Sequence, residues 1–193
     1  MTRAASLPRW WILVAGLLVA TVQLAVPGSI IAGRIALLSA GHEITLKTVP
    51  VDPRDLFRGD YVILNFAISR VELADVPHPD TIDELDEVFV IISPQDDDWA
   101  VSSLSEAMPD TMPPGAQVLR ADVDYLSGEG ANRTARLRYG VESYFVPEGT
   151  GRDLEKLVRD KALSVIVAVG PGGRAAIKGL VIDGERIYDE PLL

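Results

Sequence analysis

The residues best equipped for chemistry are concentrated in positions 50–61, Pro50-Val51-Asp52-Pro53-Arg54-Asp55-Leu56-Phe57-Arg58-Gly59-Asp60-Tyr61. Five charged residues, Asp52, Arg54, Asp55, Arg58 and Asp60, fall within nine positions. Pro50 and Pro53 fix φ and remove backbone donors, which denies this stretch a helix. The three short carboxylates can accept backbone N–H groups or pair with the two guanidiniums. Gly59 permits a backbone conformation closed to its neighbours. Such a pattern suits recognition of a polar ligand or a partner surface. It equally suits a salt-bridged turn that sets the register of the strand opening at Tyr61. Tyr144 and Glu148, in a second dense block, complete the candidate docking or ligand surface.

Other reactive types are sparse. The chain has no cysteine, which removes disulfides, thiol catalysis and thiolate metal sites together. His42 and His78 are the only imidazoles, too few for an ordinary zinc site. Asp96-Asp97-Asp98 lacks the graded oxygen spacing of a calcium loop and reads as a solvated hairpin tip. Glu148 and Glu155 could form a carboxylate pair, but Arg152, Lys156 and Arg159 surround Glu155 at helical spacing. Gly170-Pro171-Gly172-Gly173 has neither the lysine nor the following helix of a phosphate-binding loop. No catalytic residue, metal or cofactor is assigned, and the leaning is away from an enzyme. Tyr61, Phe66, Tyr139, Tyr144 and Phe145 could line a groove, with core packing the default for each on an apolar face.

The elements that must position these residues are mostly strands. In residues 61–71, Val62, Leu64, Phe66 and Ile68 alternate with Tyr61, Asn65 and Ser69, predicting one continuous strand with one wet face. Leu119, Ala121, Val123 and Tyr125 alternate with Arg120, Asp122 and Asp124; Ala135, Leu137, Tyr139 and Val141 alternate with Arg136, Arg138 and Glu142. Residues 88–92 and 165–169 are apolar without alternation, as central strands covered on both faces are. Gly170–Gly173, Asp183-Gly184 and residues 95–98 read as hairpin turns. A helix is predicted over 152–161, a short helical turn near 81–85, and a proline-rich loop over 107–115. The fold class is α+β, mainly antiparallel β, barrel- or sandwich-like, with one short helix, preceded by one N-terminal transmembrane helix.

That first helix is the most legible feature. Residues 10–33 form an uncharged run of 24, against about 20 needed to span a bilayer. Pro27 is expected to end or kink it, and residues 30–40 to continue as helix or lie in the interface, with Arg34 snorkelling toward the headgroups. Trp10 and Trp11 suit the headgroup zone, and Arg3 and Arg9 place the N-terminus in the cytoplasm by the positive-inside rule. Small-x-small cleavage patterns are poor, since Gln23-Leu24-Ala25 and Leu38-Ser39-Ala40 both carry the wrong first residue, so a retained anchor is favoured over a signal peptide. The organisation is then 1–9 cytoplasmic tail, 10–33 anchor in the lipid bilayer, and 34–193 one extracytoplasmic domain.

Charge divides along the same line. Residues 1–41 hold three arginines and no acid, so the remaining 15 basic and 28 acidic residues give the rest −13 of a net −10. A domain so acidic should repel nucleic acid and anionic lipid headgroups.

Gly59, Asp60, Tyr61 and Leu64 together resemble the signature of the GDYXXLXY family, with Phe66 where that pattern carries Tyr. The resemblance extends to Asp52-Pro53-Arg54, to Tyr139-Gly140, to Phe145-Val146-Pro147-Glu148-Gly149 and to Asp189-Glu190-Pro191. It implies a one-span bacterial envelope protein and supplies no reaction. The reading that follows is an accessory protein that docks on a multi-span membrane partner or binds a small ligand. The rival is a membrane-bound Ser/Lys hydrolase similar to signal peptidases, echoed by Gly59-Asp60-Tyr61-Val62. That chemistry needs a serine nucleophile and a lysine base of lowered pKa. Only Ser39 lies between anchor and strand, and Lys47, Lys156, Lys161 and Lys178 are the only lysines.

Overall fold

A computed structural model describes residues 9–49, 61–145 and 163–189. Helix α1 covers Arg9–Ala40, 32 residues. It runs through Pro27, so of the two expected outcomes at that proline, an end or a kink, the helix does not end there. Pro27 lacks the N–H that would reach the Gln23 carbonyl, a local loss that this 32-residue helix carries through. The apolar residues 10–31 of α1 are exposed among the described residues; Leu13 is 75% exposed. Its length and composition are those of a membrane-crossing helix.

Eleven strands follow among the described residues: β1 (His42–Lys47), β2 (Tyr61–Ile63), β3 (Arg70–Glu72), β4 (Glu87–Gln95), β5 (Asp98–Ser105), β6 (Gln117–Ser127), β7 (Thr134–Arg138), β8 (Ser143–Phe145), β9 (Leu163–Val169), β10 (Ala175–Ile182) and β11 (Glu185–Asp189). They form a four-stranded sheet β1-β9-β10-β11, a five-stranded sheet β3-β7-β6-β4-β5 and the ribbon β2-β8, all paired antiparallel. Two seams bring the sheets together into a nearly closed, barrel-like body. At one, Thr48 bridges to Phe66 and the Val49 N–H donates to the Asn65 carbonyl at 2.8 Å. At the other, the Arg120 N–H donates to the Gly173 carbonyl at 2.7 Å.

The core follows the sequence pattern in most places. On β9, Val165, Val167 and Val169 face the main core while Ile166 and Ala168 are buried on the opposite face, as an uninterrupted apolar strand predicts. On β4, Val88, Val90 and Ile92 face the same core, and Ile91 packs with Ala116 and Val118 behind it. Ala135 and Leu137 on β7, then Tyr139 and Val141 beyond it, are all buried. The Asp183-Gly184 turn has φ of 49° and 84°, the double positive φ that a two-residue hairpin matching strand twist requires. The expected short helical turn appears at Ile82–Glu84. The helix predicted over 152–161 lies outside the described residues.

Two strand readings need correction. The predicted continuous strand over 61–71 is broken: after β2 the chain makes an isolated bridge at Phe66 and a 3-10 turn at Ala67–Ser69 before β3. Leu64, Phe66 and Ile68 are buried as expected, but so are Asn65 and Ser69, which alternation assigned to a wet face. The break rotates them inward: Arg136 donates to the Asn65 side-chain oxygen, whereas the Ser69 hydroxyl has no partner among the described residues. On β6 a bulge between Val123 and Tyr125 adds a residue and reverses the phase. Tyr125 is consequently 58% exposed and Leu126 packs on the core in its place.

Candidate functional site

The two dense blocks of the sequence meet. In the β2-β8 ribbon Tyr61 pairs with Phe145, Val62 with Tyr144 and Ile63 with Ser143, and the Leu64 N–H extends the ladder by donating to the Glu142 carbonyl at 2.8 Å. A separation of eighty residues, Ile63 to Ser143, closes here through the backbone ladder. Tyr144 is half-buried and meets Tyr188 of β11 edge to face, with ring centroids 5.8 Å apart and planes at 74°. Of the candidate surface, the backbone of Tyr61 and all of Tyr144 are therefore placed side by side on adjoining strands. Asp52, Arg54, Asp55, Arg58, Asp60 and Glu148 lie outside the described residues. The flanks of the 50–60 stretch are held: the Thr48 hydroxyl donates to the Leu163 carbonyl at 2.8 Å on one side, and β2 pairs with β8 on the other.

Beneath the ribbon sits a polar knot. The Tyr139 hydroxyl is buried and donates to the Ile68 carbonyl at 2.6 Å, while the Tyr139 N–H donates to Glu142 Oε1 at 2.5 Å. Burial drives the Tyr139 phenol far above its usual pKa; the Glu142 carboxylate adds to this and Arg136 opposes it. This tyrosine is held neutral and positions the chain rather than offering a reactive group.

A model of GDYXXLXY proteins matches residues 23–180. The chain belongs to the GDYXXLXY family. No curated protein and no solved structure matches it. The parts of the GDYXXLXY signature that are described have visible jobs. The tyrosine opens β2. Leu64 is fully buried in the core, and so is Phe66 at the position of the final tyrosine, where the missing hydroxyl would have had to find a partner inside the protein. The signature's second half is thus a packing device, whereas Gly59 and Asp60 of its first half lie outside the described residues.

Two clefts flank this framework. One, of about 540 Å³, lies where β1 meets the β4–β5 turn and is lined by Lys47, Arg70, Glu72, Asp75, Asp98 and Trp99 among others. Asp98 is committed there to the fold, accepting from the N–H groups of Trp99 at 2.9 Å and Lys47 at 3.5 Å. The second, of about 340 Å³, lies between α1 and the sheets and is lined by Ile30, Gly33, Arg34, Leu37, Arg120, Asp122, Arg138, Tyr139, Gly140, Arg174 and Ala175. Sequence reasoning missed it. Its arginines are scattered from position 34 to 174, and the one local signal was the run of basic residues on the polar faces of β6 and β7.

For the Ser/Lys chemistry, the Ser39 hydroxyl donates to the Ile35 carbonyl of its own helix at 2.7 Å, and Lys178 Nζ sits 2.7 Å from Glu43. Among the described residues no serine hydroxyl is hydrogen-bonded to a lysine, and no group of three or more His, Asp or Glu is placed to hold a metal.

Proposed function

We propose that this GDYXXLXY protein is a single-span accessory protein of the bacterial envelope, with its N-terminus in the cytoplasm and its β domain outside. The domain docks on an integral-membrane partner through the β2-β8 ribbon and the charged residues 52–60 that lead into it. The carrying observation is the junction. Leu38, 1% exposed, packs on Ala168 and Ala176, and the Gly41 N–H donates to the Leu37 carbonyl at 2.9 Å before β1 begins at His42. The helix ends inside the domain with no linker, so a spanning α1 holds the ribbon at a fixed height and angle above the bilayer. Confinement of this kind raises the effective concentration for a membrane partner. The same junction supports retention of the anchor, because cleavage after Ala40 would strip Leu38 from its seat.

Capture from detergent-solubilised membranes, with the full chain as bait, tests this. A multi-span protein should co-purify with the wild type and be lost with the Arg54→Ala/Arg58→Ala double variant. Loss accompanied by an unchanged thermal midpoint supports docking. Loss accompanied by unfolding assigns the two arginines to structure and sinks the docking surface.

A further inference from the structure

The acidity of the domain has a local exception. The cleft at the foot of α1 brings four arginines, Arg34, Arg120, Arg138 and Arg174, against one lining acid among the described residues, Asp122. Their convergence is built into the backbone. Gly173 adopts φ +75° and approaches β6 so closely that a Cβ would stand 3.0 Å from the Arg120 nitrogen, which seats Arg174 beside Arg120. Register pairs Asp122 with Arg138, and Arg120 lies two residues away on the same outward face of β6. A Cβ on Gly170 would meet Leu37 Cδ1 at 2.8 Å, so the helix end rests on the same turn. Behind the rim, among the described residues, Glu87 stands 3.1 Å from Arg120 and Asp124 stands 3.2 Å from Arg138. Both pairs are substantially exposed, and such pairs are weak and readily exchanged. Arg174 is exposed and makes no ion pair among the described residues.

The opposite wall is apolar. Ile30, Gly33 and Leu37 recur at helical spacing on α1, and nothing lies within 4 Å of where a Gly33 Cβ would be. A cationic rim facing an apolar wall that continues into a membrane-crossing helix matches an amphiphile with a phosphate at one end. We propose that this cleft holds the headgroup phosphate of an anionic phospholipid from the adjoining leaflet, with its glycerol and upper acyl chain against Ile30, Gly33 and Leu37. Guanidiniums bind phosphate through paired N–H donors, and basic pockets beside membrane helices are suited to anionic headgroups. The inference rests on α1 spanning a bilayer and is independent of which side the domain occupies. It also reverses, for this one face, the expectation of repulsion drawn from net charge: a headgroup in the cleft meets the rim at contact distance, while the domain's acids act through screening solvent.

The test uses the full chain reconstituted into nanodiscs of phosphatidylcholine mixed with phosphatidylglycerol, then released for native mass spectrometry. The wild type should retain phosphatidylglycerol in preference to phosphatidylcholine. Arg138→Gln/Arg174→Gln should lower that retention about tenfold, Arg138→Lys/Arg174→Lys should restore part of it, and Gly33→Leu should lower it by filling the apolar wall with every charge in place. Equal retention across these variants overturns the proposal. So does equal retention of the two lipids, or displacement of phosphatidylglycerol by inorganic phosphate at matched concentration, which would mark a site for a soluble anion. Failure of the chain to enter nanodiscs at all would instead overturn the membrane-spanning reading.

Discussion

Tyr139 shows how one side chain ties chemistry to stability in this fold. Its phenol is buried, neutral and hydrogen-bonded to Ile68 beneath the ribbon. The folded-state pKa is raised above the unfolded value of about 10. The stabilisation is therefore complete below pH about 10 and is lost as pH rises beyond it, because only the unfolded chain then releases the proton. Tyr139→Phe should lower stability at neutral pH by about 1–2 kcal/mol, since the Ile68 carbonyl is left buried without its donor. It should also flatten the alkaline decline, which urea unfolding at a series of pH values from neutral upward would reveal. Equal alkaline slopes in the two proteins would show that Tyr139 does not titrate on unfolding. Tyr139 was legible from alternation as a core residue. Its hydroxyl's partner was not, because Ile68 lies 71 residues away and meets it only through the 3-10 turn that interrupts the predicted strand.

At the scale of elements, the junction of α1 with the four-stranded sheet decides how the domain is carried. Leu38 is the only leucine of α1 that is fully buried among the described residues, and its contacts are the small side chains of Ala168 and Ala176. Leu38→Ala should cost about 2–3 kcal/mol of local stability. Faster hydrogen exchange should then be confined to residues 35–41 and the β9–β10 face, with the main core unchanged. Exchange spread evenly over the domain would mean that the helix end is part of the single core after all. The long apolar helix itself was readable from composition, since a run of residues 10–33 without charge has the length that crossing lipid demands. That it continues past Pro27 to Ala40 was not, because a proline inside a helical run can either end it or merely bend it, and composition does not choose between the two. The β6 bulge is a similar case: Leu126 and Tyr125 are both plausible core residues in sequence, and only the two-against-one pairing with β7 chooses between them.

For the whole molecule, the sign of the charge on each side of the helix is the main clue to orientation. The chain has no cysteine, so a single introduced thiol reports without background. Asp97→Cys, at the tip of the β4–β5 turn, should be labelled by a membrane-impermeant maleimide in intact spheroplasts. Thr2→Cys should be labelled only after lysis. The reverse pattern would overturn the outward assignment of the domain. The core that this domain must assemble is strongly non-local, with β1 pairing to β9 and β2 to β8 across most of the chain, which predicts slow folding relative to helical proteins of its size.

Sequence alone determined the features that depend on local composition and period. The apolar span, the covered strands β4 and β9, the glycine-bearing turns and the GDYXXLXY signature all follow from neighbours along the chain, and each is set by a requirement a few residues long. Tertiary structure decided what depends on distant residues meeting. It brought Tyr61 and Tyr144 onto paired strands, turned Asn65 and Ser69 inward, seated Leu38 in the domain, and gathered Arg34, Arg120, Arg138 and Arg174 around one cleft. No local signal encodes such meetings, because the antiparallel register that creates them is a property of two strands at once.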